Sequence, residues 1–353
     1  MIHMSTMKIA MLHGPRDLRI EEHPLDTNLA PNQVHVETQI SAFKIGTDRG
    51  NYEGAEPVAG APDYPRWVGD SNLGVVVAAG NQVTRLRVGD RVVSRRPHQS
   101  AYVADADEVL VKVPESVSSE DAVWSHLYTL SAFCYRKAHF VPGEAVAVVG
   151  LGVLGLGAVA LAPYLGARVV GIGNHPTRLQ MARDMGADEA LMWDDEDLQD
   201  KLADFTGGLG IDLVILTANP WPAWRTACEV VRPEGRVSVV ALPGRGEAPL
   251  DFNPVSMEWF YSKGISLIAA AGKGADQYPT RSGEDRFDAI RSCEHTLCWM
   301  ERGLAPSKLI THRMPYGQMA EAYEMAYHRE KNMLGVIFQW QGFEWSAQAG
   351  NSV

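Results

Sequence analysis

Two rhythms of hydrophobic and polar residues divide the chain. Up to about residue 115, short apolar or alternating runs recur between turn residues, which is the period of half-buried β-strands. In residues 33–40, for example, Val34, Val36 and Thr38 alternate with polar side chains. Glycine, proline and aspartate separate the runs and favour turns. The pattern predicts a barrel-like or sheet domain, with strands at 8–12, 33–40, 74–78, 90–94 and 108–113.

From residue 119 the pattern changes to strands that alternate with helices. Ser119, followed by Glu120 and Asp121, predicts a helix start with a serine N-cap and acids in the first turn. This helix is expected to run to Ala138 and to carry the chain into the second domain. Beyond it, apolar strands are predicted at 146–149, 168–172, 212–217, 236–241 and 266–270, with helices between them. The alternation predicts a doubly wound parallel sheet of about six strands. Helices at 284–302 and 319–327 and strands at 308–313 and 334–338 are expected to close the chain.

A glycine-rich turn follows the first of these strands. Gly150, Gly152 and Gly155 have the spacing G-x-G-x-x-G, and an apolar helical run at 158–165 comes next. Val153 and Leu154, within the turn, are expected to contact the cofactor. Gly150 permits a tight turn, Gly152 lets the backbone approach a pyrophosphate, and Gly155 permits close packing of helix on strand. The N-terminus of the helix offers free N–H groups and a positive dipole end to phosphates. The turn predicts a dinucleotide site; a glycine-rich turn without a ligand is the alternative.

Composition narrows the class of partner. The chain has 353 residues, 46% of them hydrophobic and 21% charged, which is typical of a globular protein with two domains. A net charge of −11 argues against nucleic acid and anionic membranes as partners. The scattered cysteines are expected to be reduced thiols. With no apolar run of membrane-spanning length and no signal-peptide pattern, we expect a cytoplasmic protein that acts on a small molecule.

The order of the domains and several local motifs resemble the medium-chain dehydrogenase/reductase superfamily, the alcohol dehydrogenase-like proteins. The motifs are residues 69–80, residues 88–92, the glycine-rich turn and residues 309–312. The resemblance extends over nearly the whole chain. It implies an α/β protein with a GroES-like β-rich catalytic domain and a doubly wound Rossmann nucleotide-binding domain. The expected divisions are a GroES-like part at 1–124, a Rossmann NADP-binding domain at 125–290, and a C-terminal return at 291–353 that completes the catalytic domain.

The chain departs from this family at the catalytic zinc. Family members hold zinc with a Cys in a C-G-[ST]-D segment, a His in G-H-E, and a Cys or Glu before the linker helix. The corresponding residues here are Ile45, Asp70 and a position near Ser125. Isoleucine has no lone pair and serine is a poor ligand, so the set of three N or S ligands is absent. The family's four-cysteine structural lobe is missing as well. We predict a zinc-free protein; a site rebuilt from Asp70, His98 and His126 is the alternative.

The segment after the second strand of the nucleotide domain bears on the choice of cofactor. NAD enzymes of this fold end that strand with an acid that binds the ribose 2′-hydroxyl, whereas this chain has Gly173. Asn174 can donate a hydrogen bond to a 2′-phosphate, and His175 and Arg178 can supply positive charge, as in the Gly-x-Gly-Ser-Arg-Pro stretch of NADP-dependent alcohol dehydrogenases. Many NAD enzymes also have the arginine, so the other three residues carry the prediction of NADP(H). The resemblance adds Thr129, beside the nicotinamide carboxamide, and Thr217, Ala241, Leu242 and Ala270 as cofactor contacts.

Without zinc, hydrogen-bond donors and acids must stabilise or protonate the substrate oxygen. Thr47 matches the family's proton-relaying hydroxyl. Asp70 stands in the place of the zinc histidine, and burial there is expected to raise its pKa and make it an acid or base; a hydrogen-bonded structural aspartate is the alternative. His98 is expected to line the substrate pocket and donate a proton, with a surface histidine as the alternative. Lys44 and Trp67 are expected only to shape the pocket entrance.

The sequence therefore predicts a zinc-independent, NADPH-dependent oxidoreductase. It would transfer hydride to or from a carbonyl or alcohol, or an activated alkene, of a small-to-medium organic substrate. A non-catalytic nucleotide-binding protein and a redox-neutral enzyme with tightly held NADP remain alternatives. Residues 94–102 and 272–286 look similar to a zinc-lacking branch that includes oxidoreductases of polysaccharide and bacteriochlorophyll biosynthesis. An apolar edge strand at 266–270 predicts a homodimer or homotetramer, because such strands of this fold often pair across a two-fold axis.

Overall fold

The computed structural model describes residues 4–55, 63–271 and 287–340. The predicted contribution of residues 272–286 therefore lies outside the described residues. The chain begins with a small antiparallel sheet formed by β1 (Met4–Leu12), β2 (Leu18–Asp26) and β4 (Arg66–Trp67), in the order β2-β1-β4. The hydrophobic pattern did not reveal β2, because its charged residues, histidine and proline hide a half-buried alternation.

A larger sheet forms the β-rich part that the sequence pattern predicts. Its strands are β3 (Gln33–Phe43), β5 (Asn72–Ala79), β6 (Arg91–Ser94), β7 (Ala101–Asp105), β8 (Leu110–Lys112), β15 (Ile310–Pro315) and β16 (Gly335–Gln339). They lie in the order β15-β16-β3-β5-β6-β8, and β7 also pairs with β3. The last two strands come from the C-terminal part of the chain, and β16 runs antiparallel to β3 with Phe338 opposite Ser41.

Three helices surround this sheet and lead out of it: α1 (Ile45–Glu53), α2 (Ser119–Ala122) and α3 (Ser125–Lys137). The single helix predicted from residue 119 to 138 is wrong in two respects. The N-cap is Ser118, whose extended backbone lets its side chain accept the N–H of Asp121. The helix also breaks at the buried residues Val123 and Trp124, and α3 starts after them.

The second half of the chain forms the predicted parallel sheet. Its strands are β9 (Ala145–Val149), β10 (Arg168–Gly173), β11 (Glu189–Met192), β12 (Ile211–Leu216), β13 (Val231–Val239) and β14 (Ser266–Ala269). They lie in the order β11-β10-β9-β12-β13-β14, and every pairing is parallel. The strand order reverses between β9 and β12, and doubly wound sheets bind ligands outside the carboxyl ends of their strands at such a point.

Helices cover both faces of the parallel sheet. Val146 and Val148 of β9 belong to one core cluster, whereas Ala147 and Val149 belong to another, so this strand is buried on both sides. The remaining helices are α4 (Val153–Leu165), α5 (Pro176–Asp184), α6 (Leu198–Thr206), α7 (Trp221–Val230), α8 (Ala289–Glu301) and α9 (Met319–Tyr327), with a π-helical turn at Met257–Tyr261. None of the helices in the described part of the chain is long and apolar enough to cross a membrane.

Candidate active site

The glycine-rich turn between β9 and α4 has the predicted conformation. Gly150 lies at φ +101°, where glycine is favoured, and its N–H donates to the carbonyl of Ile172 at 3.0 Å. The Thr217 hydroxyl donates to the carbonyl of Gly150 at 2.7 Å and holds the turn from the neighbouring strand. A Cβ added at Gly155 would lie 1.9 Å from that same carbonyl oxygen. The conformational tasks predicted for Gly150 and Gly155 are therefore confirmed.

The N-terminus of α4 is open. Gly152 is the N-cap residue, and it has no side chain that could cap the first turn of the helix. A Cβ added at Gly152 would have no described atom within 4 Å, so there is free space beside the backbone here. The first-turn residues, Val153 and Leu154, follow directly, where a helix presents N–H groups and a positive dipole end. This turn fits a pyrophosphate group.

The end of β10 holds the residues predicted to select the cofactor. A Cβ at Gly173 would lie 2.8 Å from Cδ1 of Leu151, so packing leaves little room for any side chain there. Asn174 follows and is exposed. His175 has a role that the sequence did not reveal: it is the N-cap of α5, and its Nδ1 accepts the N–H of Thr177 at 3.3 Å. Only Nε2 of His175 then remains to reach a ligand.

Arg178 contacts the glycine-rich turn itself. Its Nη1 donates to the carbonyl of Leu151 at 3.0 Å, and its Nη2 lies 3.5 Å from the carbonyl of Met333. Burial lowers the pKa of the guanidinium. The Arg178 side chain is thus engaged with backbone carbonyls and positions the turn, and its supply of positive charge to a 2′-phosphate stays a prediction.

Other predicted cofactor residues lie at the carboxyl ends of the strands. The N–H of Ala241 donates to the carbonyl of Leu216 at 3.1 Å, and the N–H of Ala270 donates to that of Val239 at 2.8 Å. Leu242 is 41% exposed, and its N–H donates to the Asn219 side chain at 2.9 Å. These residues fix the edge of the sheet beside the switch point, and Leu242 offers an apolar surface there.

Thr129 has internal hydrogen bonds that the sequence did not reveal. Its hydroxyl donates to the carbonyl of Ser125 at 2.8 Å and lies 2.9 Å from Oγ1 of the buried Thr296 on α8. The hydroxyl therefore joins α3 to α8. The contact of Thr129 with the nicotinamide carboxamide stays a prediction.

Trp193 is a residue at this edge that the sequence analysis missed. It directly follows β11, its N–H donates to the carbonyl of Gly173 at 3.0 Å, and it is 44% exposed. A tryptophan after a strand of only four residues gave too weak a sequence signal. Its position makes it a natural reporter for ligands at the end of β10.

A second group of residues meets at one edge of the large sheet, and strand register brings them together. Ser41 near the end of β3 lies opposite Asn72 at the start of β5, and Asn72 lies opposite Ser94 at the end of β6. Just beyond these positions, Lys44 follows β3, Asp70 precedes β5 and Arg95 follows β6. Lys44 Nζ lies 2.6 Å from Oδ2 of Asp70, and Arg95 Nη2 lies 3.8 Å from it.

The Asp70 carboxylate is an anion in this arrangement. Burial is the largest single influence and would raise its pKa, but the charge and hydrogen bond of Lys44, with the charge of Arg95, together bring the pKa below its ordinary value. The prediction of a raised pKa at Asp70 is therefore wrong, because that prediction did not anticipate the lysine. Lys44, which the sequence analysis assigned only to the pocket entrance, is in direct contact with the residue at the zinc-histidine position.

His98 belongs to the core of the β-rich part. It is 0% exposed, its Nδ1 lies 2.8 Å from Oγ of Ser41, and its ring meets Phe338 edge-on at 5.2 Å. A Cβ on Gly69 would lie 2.5 Å from the ring, so the histidine packs directly on the backbone beside Asp70. Burial lowers the pKa of His98 to about 3. The predictions of a proton donor and of a surface residue are both wrong; this is a neutral core histidine.

Three polar side chains near Asp70 have unpartnered buried atoms. Nε2 of His126, Nε2 of His98 and Oγ of Ser71 make no hydrogen bond among the residues that the structure describes. Burial, followed by the charges of Lys44 and Arg95, lowers the pKa of His126 to about 3, so its imidazole is neutral. Buried polar atoms normally have partners, so these three leave hydrogen-bonding capacity unused near Asp70.

The first turn of α1 completes the group. Thr47 is exposed there, and Asp48 is 4% exposed and accepts the backbone N–H of Lys44 at 3.1 Å. Burial, aided by the nearby charge of Asp70, raises the pKa of Asp48 to about 7. Across the cleft, Nη2 of Arg245, from the loop after β13, donates to Oδ1 of Asn51 in α1 at 3.1 Å. This contact brings α1 against the carboxyl edge of the parallel sheet.

The raised pKa of Asp48 predicts a pH-dependent effect of Asp48→Asn. The ionised carboxyl destabilises the folded state, and this penalty is absent below about pH 4, grows as the pH rises, and is complete above about pH 7. Asparagine keeps an acceptor for the Lys44 N–H without the charge. We expect a gain in unfolding free energy that is larger at pH 8 than at pH 5, by on the order of 2 kcal/mol. Denaturant unfolding at both pH values measures it; an equal effect at both would contradict the assignment.

These residues do not fit the zinc ion that the fold family implies. Ile45 offers no lone pair, and the carboxylate of Asp70 is already paired with an ammonium, which would repel a divalent cation. Within residues 4–55, 63–271 and 287–340, no cluster of three or more His, Cys, Asp or Glu side chains suits a metal. The side chains at these positions thus differ in chemistry from the ligands of a zinc centre.

Comparisons with known proteins agree with the fold. The "Zinc-binding dehydrogenase" family model matches residues 153–282. Sorbitol dehydrogenase of Bacillus subtilis (strain 168) is 25% identical over 332 residues, which covers 80% of this chain and 93% of that protein. NADP-dependent isopropanol dehydrogenase of Thermoanaerobacter brockii is 28% identical over 282 residues, or 69% and 76% of the two chains.

Solved structures give the same fold. Galactitol-1-phosphate dehydrogenase from Escherichia coli superposes with a TM-score of 0.77 at 18% identity, covering 94% of this chain and 99% of that one. Alcohol dehydrogenase TADH from Thermus sp. ATN1 gives 0.74 at 20% identity, covering 95% and 100%. The protein is thus an α/β dehydrogenase-fold protein with a glycine-rich nucleotide turn. Residues 153–282 match the zinc-binding dehydrogenase family, and the whole fold is similar to that of alcohol dehydrogenase-like proteins.

Proposed function

We propose that the protein is a zinc-independent, NADP(H)-dependent oxidoreductase that interconverts an alcohol and a carbonyl compound. The observation that carries the proposal is the pairing of an uncapped glycine-rich turn with a polar cleft in which Lys44 faces Asp70. Relatives named for oxidation of sorbitol and isopropanol favour CH–OH as the reacting group over an activated alkene. We also propose that the protein belongs to a zinc-lacking branch of the medium-chain dehydrogenases/reductases.

The preference for NADP(H) rests on the end of β10. Gly173 brings no carboxylate to the ribose, and the exposed Asn174 amide can donate a hydrogen bond to a 2′-phosphate. The Nε2–H of His175 is a second donor on the same loop. The pyrophosphate would lie at Gly152 and the first turn of α4, where the helix dipole favours anions. A relative at 28% identity is named as NADP-dependent, which is consistent with this assignment.

The cleft supplies the remaining chemistry. A bound nicotinamide provides or accepts the hydride. We assign to the exposed Thr47 hydroxyl the exchange of protons between the site and water. Near Asp70, Ser71 Oγ and His126 Nε2 are unpartnered among the described residues, which suits a substrate with more than one oxygen. Polyols and related hydroxy compounds are therefore the proposed substrate class.

The proposed assembly is a homodimer or homotetramer in which β14 pairs with its copy. In the described part of the sheet this strand is the last in order, and Val255, Met257 and Tyr261, in the segment leading to it, are 51%, 68% and 72% exposed. An apolar edge of this kind favours burial between subunits. Sedimentation velocity checks it, with a species of at least two chains expected. We also propose that the GroES-like part ends near residue 124 and that the Rossmann domain ends near residue 290.

Turnover with a substrate panel tests the function. The purified protein, dialysed against a chelator, is mixed with NADP⁺ and sorbitol, isopropanol or 2,3-butanediol, and reduced cofactor is followed by absorbance. We expect turnover with at least one alcohol and no loss on chelation. Activity that needs added zinc would contradict zinc independence, and activity confined to enones would assign the alkene reaction. Cofactor binding without turnover would favour the non-catalytic alternative, and cofactor retained through purification would favour a redox-neutral enzyme.

A further inference from the structure

Lys44 occupies an unusual place for a lysine. It directly follows β3 and is the N-cap residue of α1, and its Nζ forms a 2.6 Å ion pair with Asp70. The two side chains are 17% and 26% exposed, so the pair is largely buried yet still reachable from the cleft. The register of β3 and β5 fixes both residues, because their backbones flank the pair Ser41–Asn72.

The charges around this pair leave the ammonium as the dominant buried cation. His126 is neutral, since burial and the neighbouring cations lower its pKa to about 3. The Arg95 side chain is 64% exposed and lies farther from Asp70, at 3.8 Å. An ammonium has three N–H donors, and its bond to Asp70 uses one. Lys44 therefore has donor capacity for a further oxygen atom.

We infer that Lys44 is a catalytic residue whose ammonium binds the substrate oxygen at the carbon that exchanges hydride, in the place where relatives of this fold use a metal ion. Asp70 is a positioning residue that holds the ammonium in the cleft. The inference rests on the proposed function, since it needs hydride transfer at a C–O bond. The site then suits a neutral or electron-rich oxygen and not a cation, because the neighbouring residues are the uncharged Ile45, Ser71 and His126.

The chemistry balances without a metal. In the reductive direction, the hydride forms a C–H bond at the carbonyl carbon, and the π electron pair of the C=O bond moves to oxygen. The Lys44 ammonium stabilises the developing charge and gives a proton to that oxygen, and one proton taken up from solvent, passed on by the Thr47 hydroxyl, restores the ammonium. Oxidation is the reverse. A well-placed donor to a developing oxyanion contributes roughly 100- to 1000-fold in rate.

The test uses the full chain and two readouts. Lys44→Met, Lys44→Ala and Lys44→Arg are compared with wild type for kcat/KM on the best alcohol of the panel, and for binding of isobutyramide, a carbonyl mimic, to the NADPH complex. We expect Lys44→Met to lower kcat/KM by about 100-fold or more and to weaken amide binding by about tenfold or more, with NADPH affinity unchanged. Added ethylammonium should partly restore Lys44→Ala, and arginine should retain part of the activity.

Matched controls separate the possible failures. Lys112 also pairs with an aspartate, Asp90, at 2.6 Å but is 55% exposed, and Lys112→Met should leave both readouts unchanged. Asp70→Asn should lower kcat/KM and amide affinity in parallel, and Asp70→Glu should partly recover both. A folded Lys44→Met variant with wild-type turnover and amide binding would overturn the inference alone. A wild-type protein that neither binds NADPH nor oxidises an alcohol would overturn the proposed function itself.

Discussion

Gly155→Ala is expected to abolish NADPH binding and to destabilise the protein. The added Cβ would lie 1.9 Å from the carbonyl oxygen of Gly150, so α4 has to move away from the end of β9. Overpacking of this kind costs about 3 kcal/mol or more, whereas the gain in helix propensity from glycine to alanine is only about 1 kcal/mol. The strain therefore outweighs the propensity. A lowered melting temperature together with the loss of NADPH-dependent fluorescence change measures the effect.

Gly152→Ala is the matched control for this variant. Its Cβ would enter free space, and its backbone, at φ −82° and ψ −175°, suits any residue. Stability should change by no more than about 1 kcal/mol. NADPH affinity should still fall strongly, because the methyl group stands where the pyrophosphate approaches the backbone. If Gly152→Ala bound NADPH like wild type, the phosphate site would have to lie elsewhere.

Asn174→Asp is expected to reverse the cofactor preference. The new carboxylate would stand at the end of β10, where it repels a 2′-phosphate and can bind the 2′-hydroxyl of NADH. Like charges about 4 Å apart cost about 1 kcal/mol each in water and about 4 kcal/mol at a protein surface. We therefore expect NADPH affinity to fall by about 30-fold or more and NADH affinity to rise.

Asn174→Ala provides the comparison, because it removes the amide donor and adds no charge. The loss of one hydrogen bond should weaken NADPH binding by about tenfold or less and leave NADH binding unchanged. Parallel fluorescence titrations of both cofactors against the two variants measure the difference. Equal losses in Asn174→Asp and Asn174→Ala would show that no phosphate lies near this position.

The sequence predicted the fold correctly where the sequence signals are local. The apolar strand β9, the glycine spacing and the strand–helix alternation each follow from short-range periodicity and backbone sterics. The sequence pattern did not reveal short or polar strands such as β2 and β11. It also did not reveal the break between α2 and α3, because that break is determined by the tertiary packing of Val123 and Trp124 and not by helix propensity.

The site was less predictable, because its electrostatics depend on residues far apart in the chain. Lys44 and Asp70 meet only through the register of β3 and β5, and no single-sequence pattern reveals that register. The pKa of Asp70 accordingly moved opposite to the prediction. His98 was misplaced for a related reason, since the depth of its burial is set by strands from both ends of the chain.

A paired titration of the purified wild-type protein with NADPH and NADH, with zinc content determined on the same sample, tests the cofactor and the zinc assignments together. We expect NADPH to bind at least about tenfold more tightly than NADH, and zinc to be far below one equivalent per chain. Tighter binding of NADH, or stoichiometric zinc that resists dialysis, would contradict these assignments.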